Sequence, residues 1–600
     1  MSAPINLTAF FEMAIAHYLL SASDRALGEL TLRRAGVHGD AAVPIAIAVA
    51  LLSRARDDGH SALSLIDLAA EVTELTRELA SVNATDGENE RVNARSAIDA
   101  VVALLVGREA DWWRAALEAV PSVVHSVNGH ATNGHAEHGH PVAPLVLRGS
   151  LVQFRRYFDA EQRIAMQIAA RIRASRALRE PTFRVITGGP GTGKTTRIAE
   201  LLVETLERDP ELRVALAAPT GKAAARLSES VRLRLDGMKA SPEVRARVPQ
   251  RARTVHRLLG YQPDRDRFWS RAGTPLPYDL VILDEASMVD VLLMDALVAA
   301  LPSHATLLLV GDQDQLSSVE AGDVLGAICR VAHDLGSGNA LHASVQRLTR
   351  SYRFEAHPAI GDAATAILAG DAVALSAVVH DVARADVRWV PAPHDRAELL
   401  AHLVPHLETC LAAATPAAAL TALEGFRVLC AEREGTWGVA GMNAEVERWL
   451  RSQGTVITER WYHRRPVMVI ANDYGTQLFN GDVGVAWDTD GELLVHFPGP
   501  EGITRAVQPA RLPETQTAWA MTVHKAQGSE FTNVIVMLPA KGSRVLGREL
   551  LYTAVTRARS HVLIVGDESV MRSAVSRTVR RGSGLEAILR AGMAPEGSHG

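Results

Sequence analysis

FRVITGGPGTGKTT, residues 183–196, decides the fold of this chain. Phe183, Val185 and Ile186 form an apolar run typical of a buried strand, and RIAELLVETL, from Arg197, has the spacing of a helix. Between them, Gly188 is followed by four residues and then Gly193, Lys194 and Thr195, which is the full G-x-x-x-x-G-K-T pattern in strand–loop–helix context. Glycines let consecutive backbone N–H groups turn inward around an anion, and the following helix N-terminus adds a favourable dipole. Residues Gly188, Gly189, Pro190, Gly191, Thr192, Gly193, Lys194, Thr195 and Thr196 are therefore the expected triphosphate cradle. Lys194 is expected to reach the β- and γ-phosphates, and the Thr195 hydroxyl to ligate Mg²⁺.

Outward from this loop the same alternation continues. RVALAAPT, DLVILDEAS and ATLLLVGD are short apolar runs ending in polar turns, separated by helical segments. That is the pattern of a parallel sheet. In DLVILDEAS the strand delivers Asp284 and Glu285 to its end, where one carboxylate suits the metal and the other the attacking water. The next strand ends at Asp312 and Gln315, placed to sense loss of the γ-phosphate. FRVLCAE, MTVHKAQGSEFTNVIVML and HVLIVGD repeat the alternation, so a second parallel-sheet core is expected. LTRSYRF offers Arg350 and Arg353, and LLYTAVTRAR offers Arg557 and Arg559; a guanidinium on the second core could reach a triphosphate held by the first and stabilise transition-state charge.

The expected boundaries are a helical docking domain at 1–122, a flexible linker at 123–147, a first parallel-sheet domain at 148–356 and a second at 357–600. The linker holds His125, His130, His135, His138 and His140 among Gly, Asn and Ala. Residues 455–515 change to short strands with Gly and Asp turns, which predicts a small β-barrel insertion. A short hairpin is expected near 260–277. Three widely spaced cysteines exclude a disulfide framework and suit a reducing cytoplasm, the expected compartment. No apolar run reaches transmembrane length. A net charge of −5 shows no global basic character, so nucleic acid would need a local groove. Aromatic content is 5%, which predicts few stacking platforms, with Phe268, Trp269, Tyr474 and Phe479 as candidates.

GGPGTGKTT, APTGKAAARLSES, TVHRLLG, DLVILDEASMVD, GDQDQLSSVEAGDVL, LTRSYRF, TVHKAQGSEF and LLYTAVTRAR occur in that order across about residues 150–570. Together they resemble the superfamily 1 helicases, and within them the RecD family, the alpha subunits of exodeoxyribonuclease V. The resemblance implies an α/β fold of two tandem RecA-like motor domains, with an α-helical N-terminal domain and an SH3-like β-barrel insertion. It implies ATP and Mg²⁺ as cofactors and 5′-to-3′ movement on single-stranded DNA. It also implies action at double-stranded DNA ends beside RecB-like and RecC-like subunits, with cutting left to the RecB-like one. A free-standing RecD-like helicase is the alternative.

By the same resemblance Gln162 reads adenine, Arg353 and Arg557 approach the γ-phosphate, and Gly528 and Glu530 touch nucleotide. Thr220, Lys222, Thr254, His256, Thr522 and His524 fall along the DNA path. Thr, Lys and His at loop ends bind phosphates without base preference, which agrees with that placement.

Overall fold

The computed structural model describes residues 6–83, 92–127, 142–178, 181–238, 240–393, 395–457, 460–473, 475–499, 503–543, 545–579 and 581–593. His130, His135, His138, His140 and Tyr474 lie outside them.

The N-terminal region is helical, as its Ala- and Leu-rich composition implies, but it also carries a four-stranded sheet. Its strands are β1 (Leu63–Ser64), β2 (Val124–Val127), β3 (Leu145–Arg148) and β4 (Leu151–Phe154), in the order β1-β4-β3-β2. The stretch expected as a linker over 123–147 thus has strands at both ends. Val124 and Val127 are buried, and β2 and β3 pair in parallel. His125 is exposed on β2. The boundary expected at 148 moves too: β4 pairs with β3 and β1, so the first parallel-sheet lobe begins with the helix Arg155–Leu178.

The first lobe holds β5 (Phe183–Gly188), β6 (Val214–Ala218), β7 (Arg253–Thr254), β10 (Leu280–Leu283), β11 (Thr306–Gly311) and β12 (Val345–Leu348). They form one parallel sheet, β12-β5-β11-β10-β6-β7. Strand residues alternate between two cores, as a sheet covered on both faces requires. Val281 and Leu283 pack on one side with Leu307 and Leu309, while Leu280 and Ile282 pack on the other with Leu308 and Val310. The expected hairpin is present as β8 (Tyr261–Gln262) and β9 (Arg267–Phe268).

The second lobe repeats the plan with β13 (Val387–Val390), β14 (Phe426–Cys430), β20 (Ala520–Thr522), β21 (Phe531–Met537) and β22 (Ala558–Val565). Its sheet is parallel in the order β13-β22-β21-β14-β20. Between β14 and β20 the chain forms an antiparallel five-stranded sheet, β18-β17-β16-β15-β19. These strands are β15 (Pro466–Val469), β16 (Val483–Thr489), β17 (Glu492–Pro498), β18 (Thr504–Val507) and β19 (Thr515–Thr517).

One segment departs from the expected second domain of 357–600. The helix Leu585–Gly592 returns to the first lobe, where Leu585, Ile588 and Leu589 join its core. It packs against the helices Arg155–Leu178 and Val324–Leu335. The approach to it is fixed by polar bonds. Gly582 O accepts from the amides of Ser61 and Ala62, and Arg581 donates to the carbonyls of Glu320 and Gly322. The buried Glu161 carboxylate accepts from Ser61, Gln153, Ser583 and the Gly584 amide. Among the described residues, no helix is long and apolar enough to cross a membrane.

Candidate active site

β5 ends at Gly188, and the loop turns into the helix Lys194–Arg208. Gly191 (φ +73°) and Gly193 (φ +87°) hold left-handed backbone that a side chain would strain. At Gly191 space is also short, since a Cβ there would lie 2.4 Å from Cβ of Arg353. LTRSYRF is therefore laid directly on the loop: Ser351 donates to Pro190 O at 2.8 Å and the Tyr352 amide to Gly191 O at 3.0 Å. Lys194 Nζ folds back onto the carbonyls of Gly188 (2.6 Å) and Gly189 (3.0 Å).

Asp284 follows β10, and Glu285 takes a left-handed φ of +52°, unusual for a non-glycine residue. That turn lets the Glu285 amide donate to Asp284 Oδ1 at 2.9 Å. Burial, then the neighbouring Glu285, raises the Asp284 carboxyl above its ordinary range, while Lys194 opposes the shift. Asp312, at the end of β11, is likewise raised by burial and opposed by Lys194. It accepts from Gln315 Nε2 at 2.8 Å and from the Tyr552 hydroxyl at 3.2 Å. Tyr552 belongs to the second lobe, so this bond spans the cleft. Its hydroxyl lies 2.9 Å from where a Cβ on Gly189 would stand. The Thr553 hydroxyl accepts from the Leu316 amide, and Gln527 donates to Leu316 O, closing the lobes along the same line.

Arg557 is buried, and its hydrogen bonds run to the carbonyls of Thr553 and Ser529, each at 3.2 Å. Burial lowers its pKa, and the fields of Glu285, Glu530 and Asp312 oppose that shift. The guanidinium from the second lobe thus feels both carboxylate stations of the first. Arg353 donates to Glu530 at 2.5 Å, and its Nη1 is buried without an acceptor. Burial alone would raise Glu530, but Arg353 and then Arg226 overcome it and hold the carboxyl down to about 2. Arg350 faces away, paired with Glu355 on the surface, while Arg559 reaches Glu530 at 3.3 Å. Gln162 is half-buried on the helix Arg155–Leu178, beside Glu161. Sequence reading missed Arg226 and Tyr552. A tyrosine five residues before Arg557, on the helix that leads into its turn, was the available signal for the second.

The residues expected along a DNA path lie at the carboxyl ends of strands. Thr220 follows β6 and Thr254 ends β7, and each hydroxyl caps the next helix by accepting from Ala223 N and Arg257 N. Burial, with Arg427 and Arg226 nearby, pushes the Lys222 ammonium down to about 8. Phe479 of the antiparallel insertion closes over this end: it would lie 3.2 Å from a Cβ on Gly221, and Arg257 stands 4.4 Å above its ring. His256 is packed among Tyr261 and Phe268 at the root of the hairpin, where burial lowers its pKa. Trp269, after the hairpin, is exposed. Thr522 ends β20 and is buried. Burial pushes the His524 imidazole down to about 4, aided by Arg581 and Arg433.

A sequence family described as an AAA domain matches residues 171–321, and one described as a UvrD-like helicase C-terminal domain matches 517–565. The RecBCD enzyme subunit RecD of Mycolicibacterium smegmatis is 41% identical over 462 residues, covering 74% of this chain and 77% of that protein. The RecBCD enzyme subunit RecD of Mycobacterium tuberculosis is 42% identical over 419 residues, covering 68% and 70%. The ATP-dependent RecD2 DNA helicase of Deinococcus radiodurans is 35% identical over 401 residues, covering 66% of this chain and 48% of that protein. Two parallel-sheet lobes closed on a phosphate loop, with these matches, define an ATP-dependent DNA helicase of superfamily 1. Four fifths of the first relative's length is nearly spanned, so the likeness is not confined to the phosphate-binding core. The chain belongs to the RecD family.

Proposed function

We propose that this helicase works as the 5′-to-3′ motor of a three-subunit assembly with RecB-like and RecC-like partners, loading at double-stranded DNA ends. What supports the partnership is the pair of mycobacterial relatives, both named as RecBCD subunits and both aligned over most of their length. The observation that carries the motor reading is Arg557. It is a buried guanidinium of the second lobe, bonded only to carbonyls at the distances given above and set in the field of Glu285 and Asp312.

In this reading the loop from Gly188 to Thr196 cradles the triphosphate, Gln162 reads its base, and Lys194 leaves its carbonyl partners for phosphate oxygens. Thr195 and Asp284 would hold Mg²⁺, which when bound neutralises charge shared between β- and γ-phosphate oxygens. The donor set fits, with a hydroxyl beside the lysine and a buried carboxylate in the field of Lys194, while the unpartnered Arg353 Nη1 suits a phosphate oxygen. Glu285 orients the attacking water, and Gln315 with Asp312 senses the γ-phosphate. Arg353 and Arg557 bear on the developing charge, while Gly528 and Glu530 carry the signal to the second lobe. Thr220, Lys222, Thr254, His256, Thr522 and His524 line the strand's path, roofed by the insertion as an SH3-like barrel.

Unwinding of forks bearing either a 5′ or a 3′ tail, by the chain alone and with its partner subunits, tests this reading. Unwinding that needs the 5′ tail and rises on assembly is the expected result. A 3′ requirement overturns the polarity, and full activity alone with no binding to the partners favours a free-standing helicase.

A further inference from the structure

Arg226 has no part in the scheme above, yet it makes the contacts that join its two halves. It lies on the helix Gly221–Gly237, one turn after Lys222, so a shift of Arg226 is transmitted to the Thr220–Lys222 end through rigid helical backbone. Although the helix belongs to the first lobe, both contacts of its guanidinium run to the second. Nη1 donates to Gly528 O at 2.5 Å, and Nη2 lies 3.1 Å from the Glu530 carboxylate.

Glu530 is shared. Arg353 reaches it at 2.5 Å and Arg559 at 3.3 Å, so three guanidiniums meet one carboxylate and positive charge is left over. An anionic phosphate beside Gly191 would compete with Glu530 for Arg353, whose Nη1 already lacks an acceptor. Among the described residues the hydrogen bond and ion pair of Arg226 run only to this loop, although its field also reaches Asp284. When Arg353 turns to phosphate, Arg226 still ties Gly528 and Glu530 to the first lobe, beside the Gln527–Leu316 bond.

We propose that Arg226 is a positioning residue that couples the nucleotide-sensing loop Gly528–Glu530 to the DNA-facing start of the helix Gly221–Gly237. An ordinary surface ion pair would be worth little and would leave coupling untouched. The fork differs, because one planar group holds a carbonyl and a carboxylate together. This inference rests on the site assignment made under the proposed function and extends it to a residue outside the quoted roles.

The test uses the full-length chain as wild type, Arg226→Ala, Arg226→Lys, Glu530→Gln and the double variant Arg226→Ala/Glu530→Gln, with Lys194→Gln as control. ATP turnover is measured with and without oligo(dT), together with ATP consumed per base pair unwound and the melting temperature. In Arg226→Ala the stimulation by DNA falls roughly tenfold, the scale set by one charge-assisted hydrogen bond. Arg226→Lys recovers part of it, since an ammonium lacks the planar fork, and ATP consumed per base pair rises in both. In the double variant the effects do not multiply, because the two groups act through one contact. Unchanged stimulation, an equal fall with and without DNA, or independent effects in the double variant would overturn the proposal. Normal turnover in Lys194→Gln overturns the site assignment itself, and the inference with it.

Discussion

The two motor lobes share a parallel sheet covered on both faces, yet their strand ends do different work. In the first lobe β5 runs into glycines, with left-handed backbone at Gly191 and Gly193, and the loop offers main-chain groups. In the second, β14 also runs through a loop into a helix, Val439–Ser452, but the loop AEREGTWG carries Glu432 and Glu434. That loop lacks the G-x-x-x-x-G-K-T pattern, and the second lobe contributes reach instead: Tyr552, Arg557 and Glu530 extend toward the first lobe's loop. On the proposed reading the same architecture serves as holder and as reader, with the difference confined to loops and a few side chains.

Three substitutions probe that division, in order of expected effect. Lys194→Gln removes the holder's charge and should lower kcat by roughly 10⁴-fold, beyond the 10²–10³ typical of losing a neutral donor. Circular dichroism melting should stay close to wild type, because Lys194 bonds only its own loop. Arg557→Ala disables the reader and should lower kcat by roughly 10³-fold, the lower end for an arginine finger, with ATP affinity little changed in equilibrium binding. Lost binding with normal kcat would make Arg557 part of the holder and erase the distinction between lobes. Tyr552→Phe removes only the cross-cleft bond to Asp312 and should lower kcat by about three- to tenfold, the worth of one hydrogen bond. No change in stopped-flow hydrolysis would show that this bond only packs the closed lobes.

Much of this was legible from residues. Glycine spacing before Lys194 marked the loop, since the left-handed φ values at Gly191 and Gly193 favour glycine. Short continuous apolar runs marked both sheets, since each strand is buried on both faces. Arg226 stayed hidden because an arginine one turn into a helix reads as a solvated charge until the partner lobe is in place. β2 and β3 were hidden because their pairing bridges the Gly- and His-rich stretch between them. The helix Leu585–Gly592 announced an apolar face through Leu585, Ile588 and Leu589, but periodicity says that a face is buried and not what buries it.

That returning helix sets a timetable for synthesis. The first lobe's last strand ends at Leu348, yet three of its core side chains come only with residues 585–589. At about 5–20 residues per second, a nascent chain waits on the order of ten to fifty seconds with an apolar trough open beside the helix Arg155–Leu178. The first lobe therefore emerges from the ribosome before its core is complete, and seating the helix Leu585–Gly592 is a late step of its folding.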